Sequence, residues 1–154
     1  MTFLVDTCVL SEAVRPRPAR SVIEWLDAQN EASLYISALT LAELQRGVSR
    51  LPSSRKRKAL EVWLHDELPR RFERRVLPVD LEVALAWGRA QAAAEKRGRR
   101  VPVLDGLIAA TALANDLIVV TRNGEHMAPT GAEILDPWGG DDPGGHQVRP
   151  TLPR

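Results

Sequence analysis

The sequence predicts an α/β fold: a mostly parallel central β-sheet flanked by α-helices. Three observations carry that expectation. Short β-branched or aromatic runs, FLV, LYIS and LIVVT, alternate with longer segments whose apolar residues recur at helical spacing. LIVVT is continuously apolar, as strands covered on both faces are. The 154 residues, 44% of them hydrophobic and 27% charged, suffice for one domain with a substantial core.

Each element follows from its own pattern. Residues 2–6 read as a short buried strand that ends on a carboxylate, Asp6. SVIEWLDAQ carries Val22, Ile23 and Leu26 at helical spacing. LYIS (34–37) is a strand, and ALTLAELQRGV after it is a helix with Gly47 near its end. RKRKALEVWLHDEL is an amphipathic helix with Leu60, Trp63 and Leu64 on one face. RVLPVD is a strand closed by Pro78. LEVALAWGRAQAAAEKRG is a long Ala-rich helix stopping near Gly98. DGLIAATALAND is a buried helix beginning at Asp105, LIVVT (117–121) a strand, and AEILDP a last short strand. From Pro137 onward the chain is rich in Gly and Pro, so residues 139–154 are expected to form a flexible tail behind a domain of residues 1–138.

Composition narrows the function classes. The apolar stretches are too short to span a bilayer, and the N-terminus has no basic, cleavable leader pattern. The single cysteine, Cys8, permits neither an internal disulfide nor a Cys-based zinc site. A cytoplasmic protein is expected. The net charge is only +1, yet RKRK (55–58), RRFERR (70–75) and KRGRR (96–100) concentrate basic residues. Such runs serve equally as solvated helix faces or as a phosphate-attracting surface.

Three acids stand at strand-to-helix junctions, where open α/β sheets gather their ligands. Asp6 ends the first strand, Glu43 falls in the first turn of the helix after LYIS, and Asp105 opens DGLIAATALA. Each has a purely structural reading. Thr40 to Glu43 matches a capping box, and Asp105 and Asp6 suit helix N-termini. Brought together at one sheet edge, the three would repel one another unless a cation or a shared proton offset the charge. A hard divalent ion is the natural partner, taking oxygen ligands and keeping several waters. His65, His126 and His146 show no zinc-ligand spacing.

FLVDTCVLSE, YISALTLAELQRGV, VLDGLIAATALAND and LIVVTRN, in that order, resemble the PIN-domain ribonucleases. They are most similar to the VapC-type toxins of toxin–antitoxin pairs and their FitB-like branch, over roughly residues 2–138. The resemblance implies a PIN fold and Mg²⁺-dependent cleavage of RNA, with Mn²⁺ an alternative ion. It places Asp6, Glu43 and Asp105 on the family's metal-holding acids. A fourth position falls on Asn123, whose amide is a weaker ligand than the usual acid. TRNGEHM departs further from the common TRNxxDF, putting His126 where an Asp is usual and Met127 where Phe is usual. The resemblance also implies a small VapB-like antitoxin as partner, a heterocomplex with it, and a homodimer formed through apolar helices.

In that reading Asp6 and Asp105 bind the ion directly, while Glu43 binds it or deprotonates the attacking water. Cys8, close to Asp6, reads as a small buried hydrophobe or as a reactive thiol. Thr7, Ser37 and Thr121 either orient the acids or cap turns. The rival readings are a PIN-fold module with weak or lost catalysis acting as a binding or regulatory protein, a phosphatase of the haloacid-dehalogenase type, and a noncatalytic Mg²⁺-binding module. The second Asp that the phosphatase type needs is replaced here by Cys8.

Overall fold

Phe3–Val5 (β1) is buried along its whole length, and its side chains divide between two cores. Phe3 and Val5 point to one face of the sheet, where they join Val9, Trp25, Ile36 and Val120. Leu4 points to the other, against Ile108, Ala109, Val119 and Met127. This period-two division is what a strand covered on both faces requires. On the first face Phe3 meets Trp25 edge-to-face, with ring centroids 5.1 Å apart. The computed structural model describes residues 1–139.

Four further strands complete the sheet: β2 (Leu34–Ser37), β3 (Val76–Leu77), β4 (Ile118–Val120) and β5 (Ile134–Leu135). Every pairing is parallel, and the order is β3-β2-β1-β4-β5. The chain therefore builds outward from β1 to one side and then to the other. The reversal opens a crevice beyond the carboxyl ends of β1 and β4.

The helices are α1 (Thr7–Ala13), α2 (Arg20–Asp27), α3 (Ala38–Ser49), α4 (Arg55–Val62), α5 (Leu68–Arg71), α6 (Leu81–Lys96), α7 (Val103–Ala114) and α8 (Gly124–Met127). A π-helical turn, Trp63–Glu67, joins α4 to α5, so the expected single helix is one continuous coil with a bulge. Helices α1 and α8 escape the sequence reading because each is short and lacks a full apolar period. Helix α7 starts two residues before Asp105, which thus sits in its first turn, a place the helix dipole favours for an acid.

Helices α6 and α7 pack closely, and Gly106 permits it: a Cβ there would lie 3.1 Å from Trp87 Nε1. At the far end of α7, Asp116 adopts φ 53° and the Leu117 N–H reaches Ala112 O at 2.9 Å. This left-handed residue ends the helix and turns the chain directly into β4.

Two expectations need correction. The capping box at Thr40 does not form: Ser37 is the N-cap of α3, accepting from Leu39 N–H at 3.1 Å. Thr40 lies inside the helix, buried and without a hydrogen-bond partner among the described residues. Glu43 is accordingly in the second turn of α3, not the first. The basic runs are also partly consumed by the fold. Arg71 pairs with Glu31 at 2.5 Å. Arg75 stacks on Phe72 and donates to the carbonyls of Glu31, Leu34 and Arg71. The expected tail lies outside the described residues, apart from Gly139. Trp138, just before it, packs against the first core.

Candidate active site

Asp6 is both the cap and the centre. Its backbone leaves β1 in an extended conformation, and its Oδ1 accepts from Thr7 N–H at 2.8 Å, starting α1. Its Oδ2 accepts from the Thr121 hydroxyl at 2.7 Å, which ties the ends of β1 and β4 together. That carboxylate is only 3% exposed. The Thr121 hydroxyl in turn accepts from Asn123 N–H at 3.0 Å, fixing the chain that follows β4.

Thr7 carries the network to α3, because its hydroxyl donates to Glu43 Oε1 at 2.9 Å. Asp105 approaches from α7, and His126 on α8 stands beside it, Nδ1 3.4 Å from Oδ2. His126 is therefore drawn to the site edge by a helix, although its side chain remains 61% exposed. Asn123 sits at the N-terminal boundary of α8 without capping it through its side chain. Of the hydroxyls singled out, Thr7 and Thr121 orient acids and Ser37 caps a helix.

The electrostatics bind the three acids into one group. Burial pushes the Glu43 carboxyl above its ordinary range; the Thr7 hydrogen bond opposes this, Asp6 and Asp105 add to it, and Arg46 lowers it. Burial and then Asp6 raise Asp105, against the pull of His126. Cys8 lies between Asp6 Oδ2 at 3.7 Å and Thr121 Oγ1 at 3.5 Å, and accepts from Arg122 N–H. Burial and the Asp6 charge raise its thiol, so it stays protonated and is a packing residue rather than a nucleophile.

The donor set suits a hard divalent cation. The oxygens of Asp6, Glu43 and Asp105 carry negative charge, and no Lys or Arg forms an ion pair with any of them among the described residues. No three His, Cys, Asp or Glu side chains among those residues already close around one point. An ion that keeps most of its water and takes one or two carboxylates directly matches such an open arrangement.

Carboxyls raised in the folded state bind protons more readily there than in the unfolded chain. The stability they contribute is present below their unfolded values and is lost as pH rises through their folded ones. In metal-free protein at neutral pH, Glu43→Gln should therefore raise Tm, by about 1–3 °C. The gain should shrink as pH falls through the carboxylate range. Thermal melts across that range, in chelator, give the measurement, and a lower Tm for the variant at pH 7 would contradict the account.

Sequence reasoning missed Glu12. This carboxylate is 7% exposed, and it accepts from Ala19 N–H at 2.8 Å and pairs with Arg15 at 3.2 Å. It folds the PRPAR segment back over α1. Glu12→Ala leaves that N–H without its partner and should cost about 1–3 kcal/mol in urea unfolding, whereas Glu12→Gln should recover most of the loss. The only signal in the sequence was a lone acid in an otherwise apolar helix face.

An all-parallel sheet with acids gathered near its strand-order reversal defines an α/β protein of the kind in which ligands collect at the carboxyl edge. The chain belongs to the PIN domain family, whose model matches residues 3–129. It is 36% identical to a VapC ribonuclease of Sinorhizobium fredii over 135 residues, covering 88% of this chain and 96% of that protein. It is also 36% identical to toxin FitB of Neisseria gonorrhoeae, covering 88% of this chain and 97% of the relative. The crystal structure of FitAcB from Neisseria gonorrhoeae superposes with a TM-score of 0.86 at 35% identity. That match covers 90% of this chain and 99% of the other.

Proposed function

We propose that this protein is a divalent-metal-dependent ribonuclease, a toxin of the VapC and FitB kind held in check by a small antitoxin. The observation that carries the reading is the hydrogen-bonded path Thr121–Asp6–Thr7–Glu43, with Asp105 coupled to it electrostatically. Relatives named for ribonuclease and toxin activity, matched over nearly their whole length, support the same conclusion.

Asp6 and Asp105 would hold Mg²⁺ or Mn²⁺, with Glu43 beside them and Asn123 a weaker ligand. Bound there, such an ion would offset the mutual repulsion of the acids, acidify a water and stabilise charge on the leaving oxygen of a phosphodiester. The protein's own part is positional. The hydroxyls of Thr7 and Thr121 each donate to one oxygen of Glu43 and Asp6, respectively, which orients both carboxylates in advance. Glu43, raised by burial, is suited to take a proton from the attacking water.

A groove of about 310 Å³ runs from Thr7 and Glu43 between α1, α3 and α4, floored by Leu44 and Trp63 with Lys56 on its rim. Its apolar floor suits an amphipathic segment of the antitoxin, laid directly beside the acids. The relative solved as FitAcB supports a partnered form.

Purified protein should cleave single-stranded RNA in Mg²⁺ or Mn²⁺ and lose that activity in excess EDTA. Cleavage that survives the chelator would reject the metal. No cleavage with either ion would leave a PIN-fold binding module in its place. No helix among the described residues is long and apolar enough to cross a membrane.

A further inference from the structure

Among the described residues two arginines stack on aromatic rings, and they are used differently. Arg75 lies over Phe72 at 5.0 Å, and its guanidinium is occupied by three backbone carbonyls. It holds the fold together. Arg122 lies over the Trp138 ring at 5.2 Å. Among the described residues its guanidinium makes no hydrogen bond or ion pair, and the residue is exposed.

Arg122 directly follows Thr121, the residue whose hydroxyl holds Asp6. Its own N–H is fixed on Cys8 Sγ at 3.5 Å. Trp138 follows the neighbouring strand β5: Thr121 N–H bonds Leu135 O at 3.0 Å, and three residues later the ring packs on the core. An Asx-type bond from Trp138 N–H to Asp136 Oδ1 at 2.8 Å sets the turn between. Backbone and platform are therefore both anchored, and the exposed guanidinium lies over that platform just beyond the carboxyl end of β4.

We propose that Arg122 binds a backbone phosphate of the RNA substrate and that Trp138 is its positioning residue, orienting the guanidinium in advance. This rests on the ribonuclease reading above. A guanidinium offers paired donors matched to a phosphodiester's two free oxygens, and stacking removes rotamer freedom that would otherwise be lost on binding. At an edge dominated by three carboxylates, a polyanion needs a fixed cation to approach.

The test is binding of a fluorescent single-stranded RNA in EDTA, where no metal-dependent cleavage interferes, over a range of salt. Arg122→Ala should weaken binding about tenfold. It should also flatten the plot of log affinity against log salt by about 0.7. Arg122→Lys keeps the charge and should keep the slope, at an affinity between the two. Trp138→Leu, which still fills the core, should weaken binding about threefold at unchanged slope. In an Arg122→Ala background it should do nothing further.

Wild-type affinity and slope in Arg122→Ala would overturn the proposal, as would an undiminished Trp138→Leu effect in that background. Cleavage by the wild type in Mn²⁺ is scored separately. Its absence would reject the nuclease reading, while the binding comparison still decides the role of Arg122.

Discussion

Asp6→Asn is expected to abolish metal-dependent cleavage of RNA, a loss of at least about 10²–10³-fold, while the fold persists. The carboxylate has two structural duties, and an amide can perform both. Its oxygen can keep accepting from Thr7 N–H, and its NH₂ can face the Thr121 hydroxyl, which rotates to accept. What the amide cannot supply is charge. It also removes the repulsion that raises Glu43 and Asp105, so the metal-free variant should melt no lower than the wild type. Cleavage of end-labelled RNA in Mn²⁺, with titration calorimetry of Mn²⁺ binding, makes the measurement. Wild-type cleavage by the variant would remove Asp6 from the reaction.

The largest loss of stability is expected at Leu4→Ala. Leu4 is fully buried at the middle of the sheet's central strand, against Ile108, Val119 and Met127. Those neighbours lie in two helices and an adjacent strand, so the site cannot collapse around the missing atoms. The cost should be about 3 kcal/mol, and Tm should fall by about 6–12 °C. Because β1 also delivers Asp6, activity should fall more steeply on warming than in the wild type. A loss below about 1 kcal/mol in chemical denaturation would show that the core repacks.

The central strands β1 and β4 were legible from their composition because each is buried along its whole length and apolar throughout. Helices α6 and α7 were legible from their length, and the family from four motifs in register. Less was visible where an element is short. Thr7–Ala13 reads as a turn in isolation, since one or two turns of helix carry no apolar period of their own. Glu43 looked like half of a capping box because the start of its helix, at Ser37 rather than Thr40, depends on where β2 ends.

The chain by itself determined that acids stand at strand ends and that an amide and an imidazole, Asn123 and His126, follow the strand LIVVT. Local pattern suffices for that, since each fact belongs to one segment. Only the tertiary structure decided which of these residues meet. The parallel order with β1 between β2 and β4 brings Asp6 to Thr121 and Thr7 to Glu43. A one-turn helix brings His126 to Asp105, and the pairing of β4 with β5 lays Arg122 on Trp138. Such contacts join residues that are remote in sequence, and no periodicity encodes them. They follow from burial of the sheet's two faces, which forces the strand ends, and the polar groups they carry, to one edge.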